Sequence, residues 1–242
     1  IGRYTVFLKS CIPASKKFEG VKLVVDAANG AAHKVAPLVF SELGADITVI
    51  GNKPDGKNIN DNIGSTHPGQ MQRTVLEVGA VAGVAYDGDA DRAIFCDEKG
   101  GIVDGDDVLA ILALDMKSRG KLTKGAVVGT VMANLGLEVF LKSQGIELVR
   151  AAVGDRYVMG EMLSRGINLG GEQSGHLISL DHNTTGDGIL TSLLLFQAML
   201  DADKPLSELA HSFQKYPQKL VNIRVSNREP LDSKQLVVDA IK

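Results

Sequence analysis

The 242-residue chain carries 26 lysines and arginines against 29 aspartates and glutamates, a formal charge of -3, and 44% of its residues are hydrophobic. That balance suits one large globular domain or two of ordinary size and excludes a disordered chain; no basic run offers a footprint for nucleic acid, and no stretch nears the roughly 18 consecutive apolar residues of a membrane span. Cys11 and Cys96 each stand alone in apolar surroundings, which gives neither a disulfide framework nor a thiolate metal site, so a reducing cytoplasm is the expected setting.

The chain opens with IGRYTVFLKSC, without a signal peptide, and residues 1–12 read as a linker helix continuing from an N-terminal domain. Next comes VKLVVDAANGAAHKVAPLVFSELGADITVIG: an apolar run at 21–25, a turn at Asn29 and Gly30, then Val35, Leu38, Val39, Glu42 and Leu43 at helical spacing, and a second apolar run at 47–50. The same grammar returns in AVVGTVMANLGLEVFLKSQGIELVRAAVG, with the turn at Ala133 and Asn134 and Gly145 closing the helix. Both are β-loop-α-β units, an alternation that argues for parallel sheets with helices packed on them. The expected fold is therefore α/β, two tandem and similar mixed α/β domains at 13–103 and 104–217. Residues 218–242 would start a further α+β domain, with KLVNIRVS as a strand and a helix running to Lys242.

Between the two units lie a polar loop, a short helix at 71–78, the strand AVAGVAY, the loop YDGDADR, the strand AIFCD and a helix from about 106 to 117. In the second half, VGDRYV precedes a helix at 158–164, INLGGEQSGHLIS follows, and TTGDG opens a helix at 189–200, with Thr185 or Asp187 as its cap.

YDGDADR sets Asp87, Asp89 and Asp91 at alternate positions after an apolar strand, with Arg92 beside them. Two carboxylates held about 4 Å apart repel by roughly 4 kcal/mol at an effective dielectric near 20, and by only about 1 kcal/mol in water. Hard carboxylate oxygens suit Mg2+ or Mn2+, which would offset that repulsion. An EF-hand would use Asp87, Asp89, Asp91, Ile94 and Glu98, but its sixth position needs glycine and holds Arg92, and the flanks read as strands. A haloacid-dehalogenase-type aspartyl nucleophile expects Thr or Val where Asp91 stands. A solvated acidic turn is left open by this loop alone.

Its companions decide the matter. DGDADR, then VGDRYV, then GGEQSGH, in that order and with ANGAA and TTGDG around them, resemble the α-D-phosphohexomutase family over nearly the whole chain. The resemblance implies a four-domain, Mg2+-dependent phosphosugar mutase, of which this chain would hold the metal-binding second domain, the sugar-binding third and the start of the fourth. Asp87, Asp89 and Asp91 would hold Mg2+, Arg92 would steady the phosphate of a phosphoserine, and Glu172 and Ser174 would bind sugar hydroxyls. His176 would be a proton shuttle or phosphate contact, and Arg156 a substrate-phosphate ligand, although an Asp155–Arg156 pair in a loop is as often a local ion pair. The glycines at 170, 171 and 175 would let the loop backbone approach a ring.

The implied reaction converts glucosamine 6-phosphate to glucosamine 1-phosphate through a bisphosphate, for amino-sugar nucleotide and cell-wall synthesis, with mannose or glucose phosphates as alternative substrates. No nucleic acid or membrane partner is implied, and homo-oligomerisation stays open. The family's catalytic serine lies upstream in a Ser-His-Asn-Pro-like context. STHP at 65–68 departs from it, and a Ser or Thr cap ahead of Pro at a helix start explains that string better. The chain by itself is accordingly expected to lack mutase activity. A non-catalytic sugar-phosphate-binding protein is the rival from another class.

Overall fold

A computed structural model describes residues 1–13, 18–210, 212–219, 221, 224, 230 and 233–241. Helix α1 (Gly2–Ser10) leads into strand β1 (Lys22–Asp26), helix α2 (Ala32–Glu42), β2 (Asp46–Ile50), α3 (Gly69–Val78), β3 (Ala82–Tyr86), β4 (Ala93–Asp97) and β5 (Ile102–Val103). Helix α4 (Gly105–Ser118) then passes to β6 (Ala126–Thr130), α5 (Leu135–Ser143), β7 (Glu147–Ala151), α6 (Asp155–Arg165), β8 (Leu169–Gly171), β9 (Leu177–Ser179), α7 (Gly188–Ala202) and α8 (Leu206–Ala210). Helix α9 (Gln235–Ile241) follows, and the strand expected at 219–226 falls mostly outside the described residues.

The first sheet has the order β2-β1-β3-β4-β5 and the second β7-β6-β8-β9. In each, the three strands that begin the order run parallel, and those that follow run antiparallel. The expectation of parallel sheets is thus corrected to mixed ones, and the reason is loop length. Residues 87–92 and 172–176 are too few for a helical crossover, and a tight loop can join only antiparallel neighbours. Both polar loops singled out in the sequence are therefore hairpin loops at matching places in two similar units.

Strand burial explains the layering. Leu23 and Val25 face one side of β1 and Val24 the other, and all three are fully buried, so the sheet is covered on both faces. Helix α3 covers one face through Met71 and Val75 against Val24, Ala85 and Cys96. Helix α6 covers the outer face of the second sheet through Val158 and Met162 against Val128 and Val149. Between the sheets, α1, α2, α4, α5 and α7 share one continuous core. Helix α7 comes late in the chain yet packs on the first sheet: Phe196 meets Phe95 of β4 edge-on at 5.8 Å and Phe40 of α2 at 5.8 Å. Tyr86 and Ser192 share a hydrogen bond of 2.7 Å at the same contact. Burying α7 on nearly every side fixes one unit against the other, and with it the separation of the two hairpin loops. Among the described residues no helix is long and apolar enough to cross a membrane.

Candidate active site

The β3–β4 loop brings one carboxylate oxygen from each of Asp87, Asp89 and Asp91 within 4.8 Å of the others. Asp87 is 2% exposed, Asp91 half-buried and Asp89 exposed. Both Asp87 oxygens face Arg92: Oδ1 accepts from its backbone N at 3.2 Å and keeps a second lone pair, and Oδ2 accepts from Nε at 2.7 Å and Nη2 at 2.6 Å. A carboxylate held in this way is a poor nucleophile, which counts against the aspartyl-enzyme reading. Burial tends to lower the Arg92 pKa, but the charge and hydrogen bonds of Asp87, helped by Asp91 and Asp89, win and raise it.

Asp91 Oδ1 is buried and accepts no hydrogen bond among the described residues. Oxygens around Mg2+, at about 2.0–2.1 Å from the ion, lie about 3–4 Å apart, so this spread needs only a small contraction to suit it. Hard donors and an orphaned buried oxygen fit that ion. The flanking elements are strands, as the EF-hand exclusion required.

Neighbouring loops hold this one in place. Ala31 N donates to Gly88 O at 2.8 Å, and Asn60 N donates to Ala28 O at 2.9 Å. Beneath them Asp26, fully buried, accepts from Ala28 N and Gly64 N, each at 2.9 Å. Burial pushes the Asp26 carboxyl pKa up against the opposing pull of those two donors. Ala28, Asn29, Asn60, Asn62 and Ala90 all take positive φ, between 50° and 64°. Such strain in residues with a Cβ is tolerated where surroundings over-determine it, and here it gathers around the carboxylates. Ser65 lies at this edge, its backbone N donating to Tyr86 O at 2.9 Å. The reading of STHP as a cap is corrected: α3 begins after Pro68, and no side chain caps it.

The β8–β9 loop meets the carboxylates directly. Arg92 and His176 form an antiparallel bridge, and Ala93 N donates to Gly175 O at 3.1 Å. Gly175 has φ +91°, and a Cβ there would stand 2.2 Å from Ala93 O, so only glycine allows the approach. On its other side, Gly105 N at the start of α4 donates to Gln173 O at 3.0 Å. Half-buried Glu172 accepts from Gly154 N through Oε1 at 2.9 Å, and Ser174 is exposed at the tip. His176 is 5% exposed, its Nδ1 3.2 Å from Asp91 Oδ2.

Asp155 and Arg156 do not form a loop pair. Gly154, at φ 122°, starts α6 one turn earlier than Val158 and Met162 suggested, so both residues sit in its first turn. Arg156 lies over the Tyr157 ring at 4.6 Å and donates to Tyr157 Oη at 2.6 Å.

TTGDG, read from sequence as a cap alone, also lies against the carboxylate loop. Asp187 does cap α7, accepting from Leu190 N at 2.9 Å, but Gly188 N also donates to Ala90 O at 2.9 Å. Tyr4 of α1 donates to Asp187 Oδ2 at 2.7 Å. Tyr4, Thr185 and Asp187 line a cavity of about 290 Å³ together with Asp89 and Asp91. A larger cavity of about 690 Å³ lies at the far end of α4, lined by Cys11, Met116, Arg119 and Gln197, away from the carboxylates.

Residues 3–101 match the family model "phosphoglucomutase/phosphomannomutase, alpha/beta/alpha domain II", and residues 104–216 match domain III of the same family. The phosphoglucosamine mutase of Magnetococcus marinus is 51% identical over 98% of this chain, which covers 49% of that protein. The phosphoglucosamine mutase of Clostridioides difficile is 55% identical over 93% of this chain and is covered over 50% of its length. The chain thus spans about half the length of the curated relatives it matches. Among solved structures, a phosphoglucomutase/phosphomannomutase family protein from Burkholderia thailandensis superposes with a TM-score of 0.76 at 24% identity, over 86% of this chain and 45% of that one. The Aspergillus fumigatus N-acetylphosphoglucosamine mutase, solved with GlcNAc-6P and magnesium, gives 0.73 at 19% identity over 93% of this chain and 51% of its own.

Proposed function

This chain belongs to the phosphoglucomutase/phosphomannomutase family, and on that footing we propose that it forms the metal- and sugar-binding part of a phosphoglucosamine mutase. The observation that carries the reading is the Arg92–His176 bridge, which sets a carboxylate loop and a glycine-rich Glu-Ser loop edge to edge. The reaction interconverts glucosamine 6-phosphate and glucosamine 1-phosphate through a phosphoserine and a sugar bisphosphate, in the cytoplasm, and supplies amino-sugar nucleotide and cell-wall synthesis.

In this mechanism Asp87, Asp89 and Asp91 hold Mg2+, which supplies charge neutralisation for the transferred phosphoryl group. Arg92, anchored on Asp87, presents its remaining guanidinium edge to the same phosphate. Glu172 and Ser174 orient the sugar through its hydroxyls, Glu172 being braced by Gly154 N. Arg156, exposed at the first turn of α6, recruits the substrate's second phosphate. Positioning supplies most of the rate in such chemistry, which is why both loops hang from rigid hairpins locked by α7. Ser65 plays no nucleophilic part.

The test is an assay of the full-length protein against glucosamine 6-phosphate, glucose 6-phosphate and mannose 6-phosphate with Mg2+. Preference for the amino sugar supports the reading; preference for mannose or glucose phosphate moves the assignment to phosphomannomutase or phosphoglucomutase, and binding without turnover makes the protein a sugar-phosphate binder.

A further inference from the structure

The contact between His176 and Asp91 joins a side chain from each unit, and its surroundings are those of a brace. The imidazole is 5% exposed. Its backbone is pinned twice, by the bridge to Arg92 and by Glu172 N donating to His176 O at 2.9 Å. The ring packs against Gly186, where a Cβ would stand 2.3 Å from both Cε1 and Nε2. Nε2 is buried and has no hydrogen-bond partner among the described residues, whereas Nδ1 stands 3.2 Å from Asp91 Oδ2. Those contacts assign the proton of the neutral ring to Nδ1, making the imidazole a donor to the carboxylate.

We propose that His176 is a positioning residue: Nδ1–H holds Asp91 Oδ2, which leaves the buried Oδ1, free of hydrogen bonds and with Arg92 Nε 3.5 Å away, for a divalent cation and sets the affinity of the loop for it. A carboxylate free to rotate would spend part of its time presenting neither oxygen; one oxygen fixed by a rigid donor removes that loss. Gly186 serves the same end by keeping the space in which the ring lies. This inference rests on the metal reading above.

The experiment is a titration of the 242-residue chain with Mn2+, following free Mn2+ by electron paramagnetic resonance, with the thermal midpoint in EDTA as a check of folding. Wild type should bind at a site that Asp89→Asn abolishes. His176→Leu should weaken that binding about 10–100-fold, and His176→Asn, whose amide N–H can stand where Nδ1–H stands, should hold it within about threefold of wild type. Gly186→Ala keeps the imidazole but displaces it, and should weaken binding in the same direction. Wild-type affinity in a folded His176→Leu or Gly186→Ala protein overturns the proposal, as does an Asn variant no better than Leu. Mn2+ binding that Asp89→Asn leaves unchanged overturns the metal reading itself, and this inference with it.

Discussion

Two groups of three aspartates stand on either side of the 172–176 turn, and only one of them has the makings of a cation site. Asp104, Asp106 and Asp107 open helix α4. Asp104 Oδ1 accepts from the backbone N of Asp106 at 3.1 Å and of Asp107 at 3.3 Å; Asp107 Oδ2 returns the favour to Asp104 N at 3.0 Å, completing a capping box. Lys215 bridges Asp104 at 2.8 Å and Asp107 at 2.6 Å, and Asp106 accepts from Asn134 N at 2.8 Å. Those oxygens are spent on backbone donors and one ammonium. At 87–91 the three carboxylates converge, Asp89 faces solvent, and Asp91 Oδ1 accepts no hydrogen bond among the described residues, with only the longer Arg92 Nε ion pair at 3.5 Å. What distinguishes ligand from architecture is therefore the number of oxygens left over, not the number of acids.

The sharpest way to break this contrast is Asp89→Asn. It removes an exposed ligand oxygen, so Mn2+ binding and full-length mutase activity should fall by at least about a hundredfold while the thermal midpoint in EDTA stays put. An Mg2+-saturable, active variant would return the loop to a mere acidic turn. The matching change in the other group, Lys215→Met, should leave Mn2+ binding untouched.

The sequence made the first group legible and the second not, for a physical reason. Alternate acids after an apolar strand stand out along a sequence, and the repeated β-loop-α-β pattern marked two similar units, though not the antiparallel strands that complete their sheets. Nothing in DGDDV says that Lys215, more than a hundred residues later, will reach it, and nothing local in TTGDG says that α7 will cross to the first sheet and lay Gly188 on Ala90. His176 was legible as a polar residue in a glycine-rich loop, but the direction of its ring depends on Gly186. The helical setting of Arg156 was missed because apolar spacing marks where a helix is buried, and the first turn of α6 is exposed.

The two groups are linked through the turn between them, and Gly105→Ala tests that link. A Cβ at 105 would stand 2.0 Å from Glu172 O, a backbone atom that cannot yield without moving the loop. Stability should drop by about 2–4 kcal/mol in chemical denaturation, and KM for the sugar phosphate in the full-length enzyme should rise more than kcat falls. A variant of wild-type stability would mean that α4 and the turn are independent.

Lys215→Met asks how much the ammonium matters. Asp107 is almost fully buried, but Lys215 is about one-third exposed, so the loss should be moderate, about 1–3 kcal/mol at pH 8. Burial, then the charge of Asp104, pushes the Asp107 carboxyl up to about 7 even with Lys215 present. The loss should therefore shrink at pH 5, where Asp107 takes a proton in place of its partner; an equal loss at both pH values would deny the ion pair its role.

The smallest effect has the clearest sign. Burial, opposed by the Asn134 N–H and reinforced by the Asp104 charge, raises Asp106 from 3.8 to about 6. The folded protein thus holds this proton more tightly than the unfolded chain does, so the stability it contributes is complete below about pH 4 and is lost as pH rises through about 6. Asp106→Asn keeps an acceptor for Asn134 N and removes the titration. The favourable field of the helix N-terminus, worth about 0.3–1 kcal/mol to the carboxylate, offsets part of the gain. The variant should therefore match wild type at pH 4 and exceed it at pH 8 by about 1–2 kcal/mol. A variant less stable than wild type at pH 8 would show that the Asp106 carboxylate is better placed charged than neutral, held by Asn134 N and the start of α4 more strongly than burial opposes it.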